Sequence, residues 1–154
     1  MPDACELSSF YVDGLCLGIE VQAVQEAIRQ LDITRVPLSP PHVAGLVNLR
    51  GQILTAIDLR YSLNMQPRLQ GQAHVNLIIR SEDTLVDILV DEIGDVLAPC
   101  KDEFESLPPT VRGRLSLSVR GVYKLRGELL WHLDIEGLLE DFSPVVSNLD
   151  PLDK

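Results

Sequence analysis

Two aspartates at matching positions of an internal repeat are the first candidates for chemistry. Asp58 lies near the end of the stretch 45–59, and Asp134 near the end of the related stretch 121–135. Paired carboxylates can serve as general acid and general base. Each aspartate, however, directly precedes a segment with helical character, where a carboxylate accepts hydrogen bonds from free backbone N–H groups. We therefore predict that both are helix caps and that neither is catalytic.

Other residue types that serve catalysis or metal binding have no productive spacing. The histidines and cysteines are scattered, and none has a second ligand at the intervals that zinc sites use; they are His42, His74, His132, Cys5, Cys16 and Cys100. The Gly-x-Ser-x-Gly, P-loop and Gly-x-Gly-x-x-Gly patterns are missing as well. The sequence predicts no catalytic residue, no metal site and no cofactor, and the cysteines are typical of free thiols in a reducing cytoplasm.

An arginine followed by a glycine occupies the centre of both copies of the repeat. Glycine supplies the positive φ that a tight hairpin needs, and the arginine then projects its guanidinium outward. A solvated turn residue is the simpler interpretation of Arg126. Arg50 follows Asn48 in the more polar copy, and its planar fork suits a carboxylate at an interface. Spacing alone leaves a functional and a structural role for Arg50 equally open.

The repeat also indicates which elements position these residues. Six pairs are identical without a gap, namely Gly45/Gly121, Leu49/Leu125, Arg50/Arg126, Gly51/Gly127, Leu54/Leu130 and Asp58/Asp134. Each copy has the pattern of two short apolar strands around the turn, followed by a capped helical turn. A unit that occurs twice in 154 residues indicates two related lobes rather than a solenoid.

Short apolar runs separated by turn signals fill the rest of the chain. Asp13-Gly14 and the segment 81–83 each predict a turn between two strands. We further expect helical turns over 21–23 and 40–44, a connector between lobes over 64–73, a short C-terminal helix ending near Phe142, and a tail over 143–154. Many short strands with turn signals roughly every 8–12 residues indicate an all-β sandwich or barrel with minor helix.

Charge and hydropathy exclude several classes of partner. The formal net charge is −10, from 23 acidic and 13 basic side chains, and such a field repels nucleic acid and anionic lipid. Apolar residues make up 45% of the chain, enough for a sizeable core, yet no run approaches the roughly 20 residues that span a bilayer. The first residues lack the features of a secretory signal. We expect a cytoplasmic protein without direct membrane insertion.

Three stretches resemble the CheW family of chemotaxis coupling proteins. The first is Val36-Pro37 with the pattern V-x-G-L-x-N-L-R-G-x-I-L-x-x-I-D-L-R over residues 43–60; the others are 85–97 and 121–139. The resemblance covers roughly residues 8–142 as a single domain. It implies two SH3-like five-stranded β-barrel lobes packed on a shared core. We expect the first lobe over about 15–63 and the second over about 74–142 together with the N-terminal strand.

The resemblance implies a non-enzymatic adaptor between two partners. One partner is the cytoplasmic tip of chemoreceptors (methyl-accepting proteins), and the other is the regulatory domain of a sensor histidine kinase, which has the same fold. The implied receptor-facing residues are Val24, Glu26 and Arg50, with Glu26 and Arg50 pairing across the groove between the lobes. The implied kinase-facing residues are Val86, Asp87, Ile88, Asp91 and Val96.

Two residues depart from the family pattern. Thr55 stands where proline is usual, which we expect to soften an edge strand, and Asp87 stands where glycine is common, which we expect to put a charge on the partner face. Such changes are typical of a specialised paralogue in phototaxis or pilus-based motility. They also motivate an alternative, a regulatory subunit that binds a kinase or response regulator without engaging receptors. A hydrolase or ligand-binding barrel is a third hypothesis and would need a concave pocket with convergent polar groups.

Overall fold

The strands form two sheets in the computed structural model, which describes residues 5–69, 71–111, 113 and 117–140. In chain order the strands are β1 (Leu7–Val12), β2 (Leu15–Glu20), β3 (Val24–Arg29), β4 (Val43–Leu49), β5 (Gln52–Asp58), β6 (Val75–Ser81), β7 (Thr84–Val90), β8 (Glu92–Leu97), β9 (Phe104–Glu105), β10 (Val119–Leu125) and β11 (Glu128–Leu133). The short helices are α1 (Leu59–Ser62), α2 (Ile135–Glu140) and two 3₁₀ turns, η1 (Val21–Ala23) and η2 (Lys101–Glu103). The predicted all-β class is confirmed, and so is the helical turn over 21–23.

The two sheets repeat one arrangement. One has the order β3-β6-β7-β5-β4 and contains the Arg50 turn, so we call it the Arg50 lobe; the other has the order β8-β1-β2-β11-β10-β9 and is the Arg126 lobe. In each, the second strand of a repeat hairpin pairs in parallel with the second strand of another hairpin, β5 with β7 and β11 with β2. An isolated bridge between Thr34 and Leu46 takes the place of β9 in the Arg50 lobe. The prediction of two related SH3-like lobes is confirmed, but only the Arg50 lobe has the five strands expected, since the sheet of the Arg126 lobe has six.

The chain crosses between the lobes twice, and the predicted lobe boundaries are therefore wrong. It leaves the Arg126 lobe after β2, passes through η1 and enters β3; it leaves the Arg50 lobe after β7 and enters β8. Consequently β2 does not belong with β4 and β5, whereas β6 and β7 do. The segment 64–73 joins α1 to β6 within one lobe rather than connecting two lobes. The sheet to which a strand belongs depends on pairing partners that are distant in the chain, and local sequence patterns do not identify those partners.

The first glycine of each repeat copy allows a neighbouring segment to approach closely. Register shifts occur at Gly45 and at Gly121. A Cβ at Gly45 would overlap the carbonyl oxygen of Thr34, and one at Gly121 would overlap the ring of Phe104 and the carbonyl oxygen of Glu105. Glycine is thus required at both positions by the same close approach.

Apolar side chains fill three regions. A cluster shared by both lobes includes Phe10, Leu17 and Ile19 from one and Ile57, Leu77 and Ile88 from the other. The Arg50 lobe encloses a second cluster of Val47, Leu49, Leu54, Ala56, Ile78 and Leu89, and the Arg126 lobe a third of Leu7, Cys16, Tyr123 and Leu130. The predicted shared core is confirmed.

Local predictions have mixed outcomes. The Asp58 carboxylate accepts from the N–H of Arg60 at 3.1 Å and the Asp134 carboxylate from that of Gly137 at 3.2 Å, so both capping predictions are confirmed. The helical turn over 40–44 is wrong, because residues 41–42 form a plain turn and β4 begins at Val43. Thr55 is not on an edge strand, since β5 is flanked by β4 and β7.

The C-terminal helix is described as far as Glu140. Its predicted end near Phe142 and the predicted tail over 143–154 lie outside the described residues. Within the described part of the chain, no helix has the length and apolar character needed to cross a bilayer.

Candidate functional site

The β4–β5 turn holds Arg50 in a position that arginine rarely adopts. Arg50 has φ 50° and Gly51 has φ 91°, so both central residues lie in the left-handed region that a two-residue hairpin turn of this hand requires. The side-chain oxygen of Asn48 accepts the N–H of Gly51 at 2.7 Å and fixes the turn. In the second copy only the glycine, Gly127, has a positive φ, and Lys124 replaces the asparagine. The two turns therefore differ, and only the first is braced in this way.

The Arg50 guanidinium forms an ion pair with the Glu26 carboxylate. Glu26 lies on β3 and Arg50 follows β4, and these strands are the two edges of the same sheet. The predicted pairing is present, but it lies within the Arg50 lobe rather than across the groove between lobes. The pair closes the gap between two edge strands that do not hydrogen-bond to one another.

The pair remains accessible to a partner. The Arg50 side chain is 67% exposed and that of Glu26 29% exposed. Glu26 engages one guanidinium nitrogen, and a guanidinium carries five N–H donors, so Arg50 can donate hydrogen bonds to a further carboxylate. Val24 lies two residues before Glu26 on the same edge strand, half-buried against the shared core, with a register shift between them.

A cleft runs beside this strand where the lobes meet. Its walls come from β3, from the start of β6 and from the start of β8, with Ala27, Arg29, His74, Asp91 and Ile93 among its lining residues. Both β3 and β8 are edge strands of their sheets. Ala27 and Arg29 alternate with Glu26 along β3 and so lie on its other face, and the Glu26–Arg50 pair is not part of the cleft lining.

Three of the predicted kinase-facing residues do not reach the surface. Val86 and Ile88 are 2% and 0% exposed and pack in the shared core. Asp87 is 0% exposed and points to the opposite face of β7, into the interior of the Arg50 lobe. The prediction that Asp87 puts a charge on a partner face is wrong, because β7 is a central strand covered on both faces.

Asp91 has a structural task at the second crossover. Its carboxylate accepts from Arg60 Nη2 at 2.7 Å, from Arg68 Nη1 at 2.8 Å and from the N–H of Asp13 at 2.7 Å. Burial alone would raise the pKa of Asp91, but these hydrogen bonds outweigh it and hold the pKa below the ordinary value. Asp91 thereby ties the β1–β2 turn of one lobe to the segment after β5 of the other.

Val96 is the predicted kinase-facing residue that reaches solvent most fully. It is 58% exposed on the edge strand β8, where Ile93 is 41% exposed. The structure thus brings Glu26 and Arg50 into contact and places Val24 beside them. It separates Val96 from the buried residues of β7.

Sequence reasoning missed two arginines that the structure makes important. Arg60 is 6% exposed and also donates to the carbonyl oxygen of Gln66 at 3.0 Å, and the Arg68 side chain is 11% exposed. Arg60 stands in the family pattern, but Arg68 lies in a polar connector that gives no sign of burial. In the described part of the chain, no group of three or more His, Cys, Asp or Glu side chains is placed to hold a metal ion.

Comparison with known proteins gives a consistent result. The sequence model of the CheW-like domain family matches residues 6–143 of this chain. A relative named chemotaxis protein CheW from Bacillus subtilis (strain 168) is 32% identical over 132 residues, covering 85% of this chain and 84% of the relative. One of the same name from Thermotoga maritima is 29% identical over 138 residues, covering 90% and 89%.

A solved structure agrees at the level of the fold. The crystal structure of the scaffolding protein TtCheW from Thermoanaerobacter tengcongensis superposes with a TM-score of 0.79 at 23% identity, covering 89% of this chain and 93% of that one. The braced Arg-Gly turn, the two interlocked lobes and the family match together lead to one conclusion. The chain belongs to the CheW-like domain family.

Proposed function

We propose that this protein is a cytoplasmic, non-enzymatic adaptor that couples the tip of a chemoreceptor to the regulatory domain of a histidine kinase. The observation that carries the proposal is the exposed Glu26–Arg50 pair on the edge of the Arg50 lobe. Its guanidinium keeps donors for an incoming carboxylate, and Val24 supplies apolar surface beside it. The names of the relatives support a role in chemotaxis.

The receptor-facing surface consists of Val24 and Glu26 on the β3 edge and of Arg50, which pairs with Glu26. An edge with an exposed guanidinium suits an acidic partner, because a carboxylate can reach Arg50 and form charge-assisted hydrogen bonds with it. Charge steers the encounter of the partners more than it sets their final affinity. The first contribution of Arg50 is therefore to orientation and to discrimination against basic partners.

The kinase-facing surface is narrower than the sequence indicated. Val86, Asp87 and Ile88 support it from inside, and Asp91 holds the crossover in place. The residues left to contact a kinase are the exposed ones of β8, led by Val96 and Ile93. Both are apolar on an edge strand, as expected of the centre of a protein interface.

Exchange of the charge at Arg50 tests the receptor-facing assignment. We expect Arg50→Glu to reduce the affinity for a purified receptor-tip fragment at least tenfold, because it places two carboxylates together and repels an acidic partner. Arg126→Glu is the matched control, since it makes the same charge change at the equivalent turn of the other lobe. Equal loss in both variants, or no loss in either, with unchanged circular dichroism, would contradict the assignment.

The regulatory-subunit alternative loses the observation that favoured it. It was motivated by Asp87 and Thr55, but Asp87 is fully buried and Thr55 does not lie on an edge strand. A chain that binds the kinase domain but shows no affinity for receptor tips at any concentration would restore it. The ligand-binding barrel gains no support either, because apolar clusters occupy the interiors of both lobes among the described residues.

A further inference from the structure

A buried acid inside the Arg50 lobe, Asp87, can contact neither of the partners proposed above, because none of its surface is exposed. Asp87 and Asn76 are both 0% exposed on adjacent central strands. Their side chains point into the cluster formed by Val47, Leu49, Leu54, Ala56, Ile78 and Leu89. An ionised carboxylate in such surroundings is strongly disfavoured unless it is fully compensated.

Only one of the two carboxyl oxygens of Asp87 has a hydrogen-bond partner among the described residues. Asn76 Nδ2 donates to Asp87 Oδ2 at 2.5 Å, while Asp87 Oδ1 is buried without a hydrogen-bond partner among the described residues. Burial raises the pKa of Asp87 to about 7, and the hydrogen bond from Asn76 opposes only part of that shift. A neutral carboxyl group suits this site better than a carboxylate.

The charged groups named on the elements around Asp87 either pair with other groups or have side chains exposed to solvent. On β5, the Asp58 carboxylate caps α1; on β6, Arg80 donates to Gln25; on β3, Glu26 binds Arg50. Arg29 on β3 and Asp32 in the segment after it have exposed side chains.

His74, two residues before Asn76, supplies no counter-charge near neutral pH. Burial lowers its pKa, and the charge of Arg68 lowers it further, with hydrogen bonding to Asn76 opposing both. Among the described residues, burial raises the pKa of Asp87 and the hydrogen bond from Asn76 lowers it.

Asn76 connects this acid to the strand that carries Glu26. Its side-chain oxygen accepts the N–H of Leu31 at 2.8 Å, two residues beyond the end of β3. The chain of groups from Leu31 through Asn76 to Asp87 therefore anchors the exit of the β3 edge inside the lobe. Ionised Asp87 would draw water or a shifted Asn76 toward its unpaired oxygen, and the Leu31 bond would weaken.

We propose that Asn76 and Asp87 are positioning residues for β3, and that Asp87 does this work as the neutral acid, so that loss of its proton to solvent loosens the exit of the Glu26 strand. We call the hydrogen-bonded chain from Leu31 through Asn76 to Asp87 the anchor. The anchor itself is independent of the function proposed above. Its consequence, weaker engagement of a receptor tip as the pH rises, rests on that function.

Two measurements on the unmodified protein test the anchor. Carbon NMR of the Asp87 carboxyl should show a titration midpoint near 7. Between pH 6 and pH 8 the ionised fraction then rises about tenfold, so the protection of the Leu31 amide against hydrogen exchange should fall by up to about tenfold after correction for intrinsic rates. A midpoint near 4, or constant Leu31 protection, would overturn the proposal.

The variant Asp87→Asn removes the titrating proton but keeps an oxygen that can accept the hydrogen bond from Asn76. Its amide oxygen can still accept from Asn76, so Leu31 protection should become independent of pH. Asp83→Asn, which removes an exposed acid from the turn between β6 and β7, should keep the behaviour of the unmodified protein. If Asp87→Asn does not fold, the two measurements above still decide the matter.

Binding adds a separate outcome. Affinity for a receptor-tip fragment should fall between pH 6 and pH 8 in the unmodified protein and stay constant in Asp87→Asn. A protein that binds no tip at either pH, while Leu31 still responds to pH, would refute the proposed function and leave the anchor standing. Binding that is equally strong at both pH values would refute the consequence for binding alone.

Discussion

Arg50 and Glu26 join the two edge strands of one lobe, although 24 residues separate them in the chain. The contact spans a gap where the sheet has no hydrogen-bonded pairing, since β3 and β4 stand at opposite ends of the strand order. The same two residues are the receptor-facing candidates. The Arg50 guanidinium therefore has a structural contact with Glu26 and a proposed role in receptor binding. Measurements of stability and of binding distinguish these two roles.

The Glu26–Arg50 pair should contribute little to stability. Both side chains are substantially exposed, and exposed ion pairs are worth about 0–1 kcal/mol because water and salt screen them. We expect Arg50→Ala and Glu26→Ala each to change the free energy of unfolding in urea by less than about 1 kcal/mol. A double-mutant cycle should give a coupling in the same range. A coupling above about 2 kcal/mol would mean that the pair is chiefly a structural closure.

Arg60→Ala should be far more damaging than Arg50→Ala. It leaves the Asp91 carboxylate short of its bidentate partner at a site where the Arg60 side chain is 8% exposed and that of Asp91 17% exposed. Removal of one member of a buried pair typically costs about 3–5 kcal/mol. Urea denaturation followed by circular dichroism measures the loss. Arg126→Ala serves as the control and should stay within about 0.5 kcal/mol of the unmodified protein.

Asp87 should make the protein less stable as the pH rises from about 4 to about 7. Its pKa is raised from 3.8 to about 7 in the folded state, so over this interval the unfolded chain binds fewer protons than the folded one. About three pKa units correspond to at most about 4 kcal/mol, with no further change above pH 7. The difference between the unmodified protein and Asp87→Asn isolates this contribution. Parallel stability profiles of the two proteins over this range would rule it out.

Asp91, unlike Asp87, should make the protein less stable as the pH falls. Its folded pKa lies below the ordinary value, so the stability it contributes is present above that ordinary value and is lost as the pH falls through the folded pKa. We expect an acid unfolding limb that Asp91→Asn flattens. Acid denaturation curves of the two proteins compare this directly. An acid limb of unchanged slope in the variant would assign the limb to other carboxylates.

Gly45→Ala should destabilise the protein more than Gly14→Ala. Both glycines have positive φ, 152° and 81°, so both variants carry backbone strain of about 1–2 kcal/mol. Only at Gly45 would the new Cβ also overlap a neighbouring backbone atom, because nothing lies within 4 Å of the corresponding position at Gly14. The excess, about 1–3 kcal/mol of overpacking, should appear as a lower midpoint in urea denaturation. Equal midpoints for the two variants would show that the segment around Thr34 moves aside without a loss of stability.

Local signals in the sequence determined the elements of this fold. The Asp13-Gly14 and Arg50-Gly51 turns, the alternation around them and the caps at Asp58 and Asp134 depend on residues a few positions apart. The repeat added that two such units are related. Each of these features follows from backbone geometry and side-chain reach within one or two turns of chain, which composition and spacing record directly.

Only the tertiary structure decided which strands share a lobe and which charges are buried. β2 and β3 are separated by three residues yet lie in different sheets, because each strand pairs with partners far along the chain. Asp87 and Asp91 look alike in the sequence, but one is enclosed by apolar side chains and the other is met by two guanidinium groups. Burial and counter-charge are sums over distant neighbours. The sequence therefore determined what Arg50 could do, and the fold decided that Glu26 stands beside it.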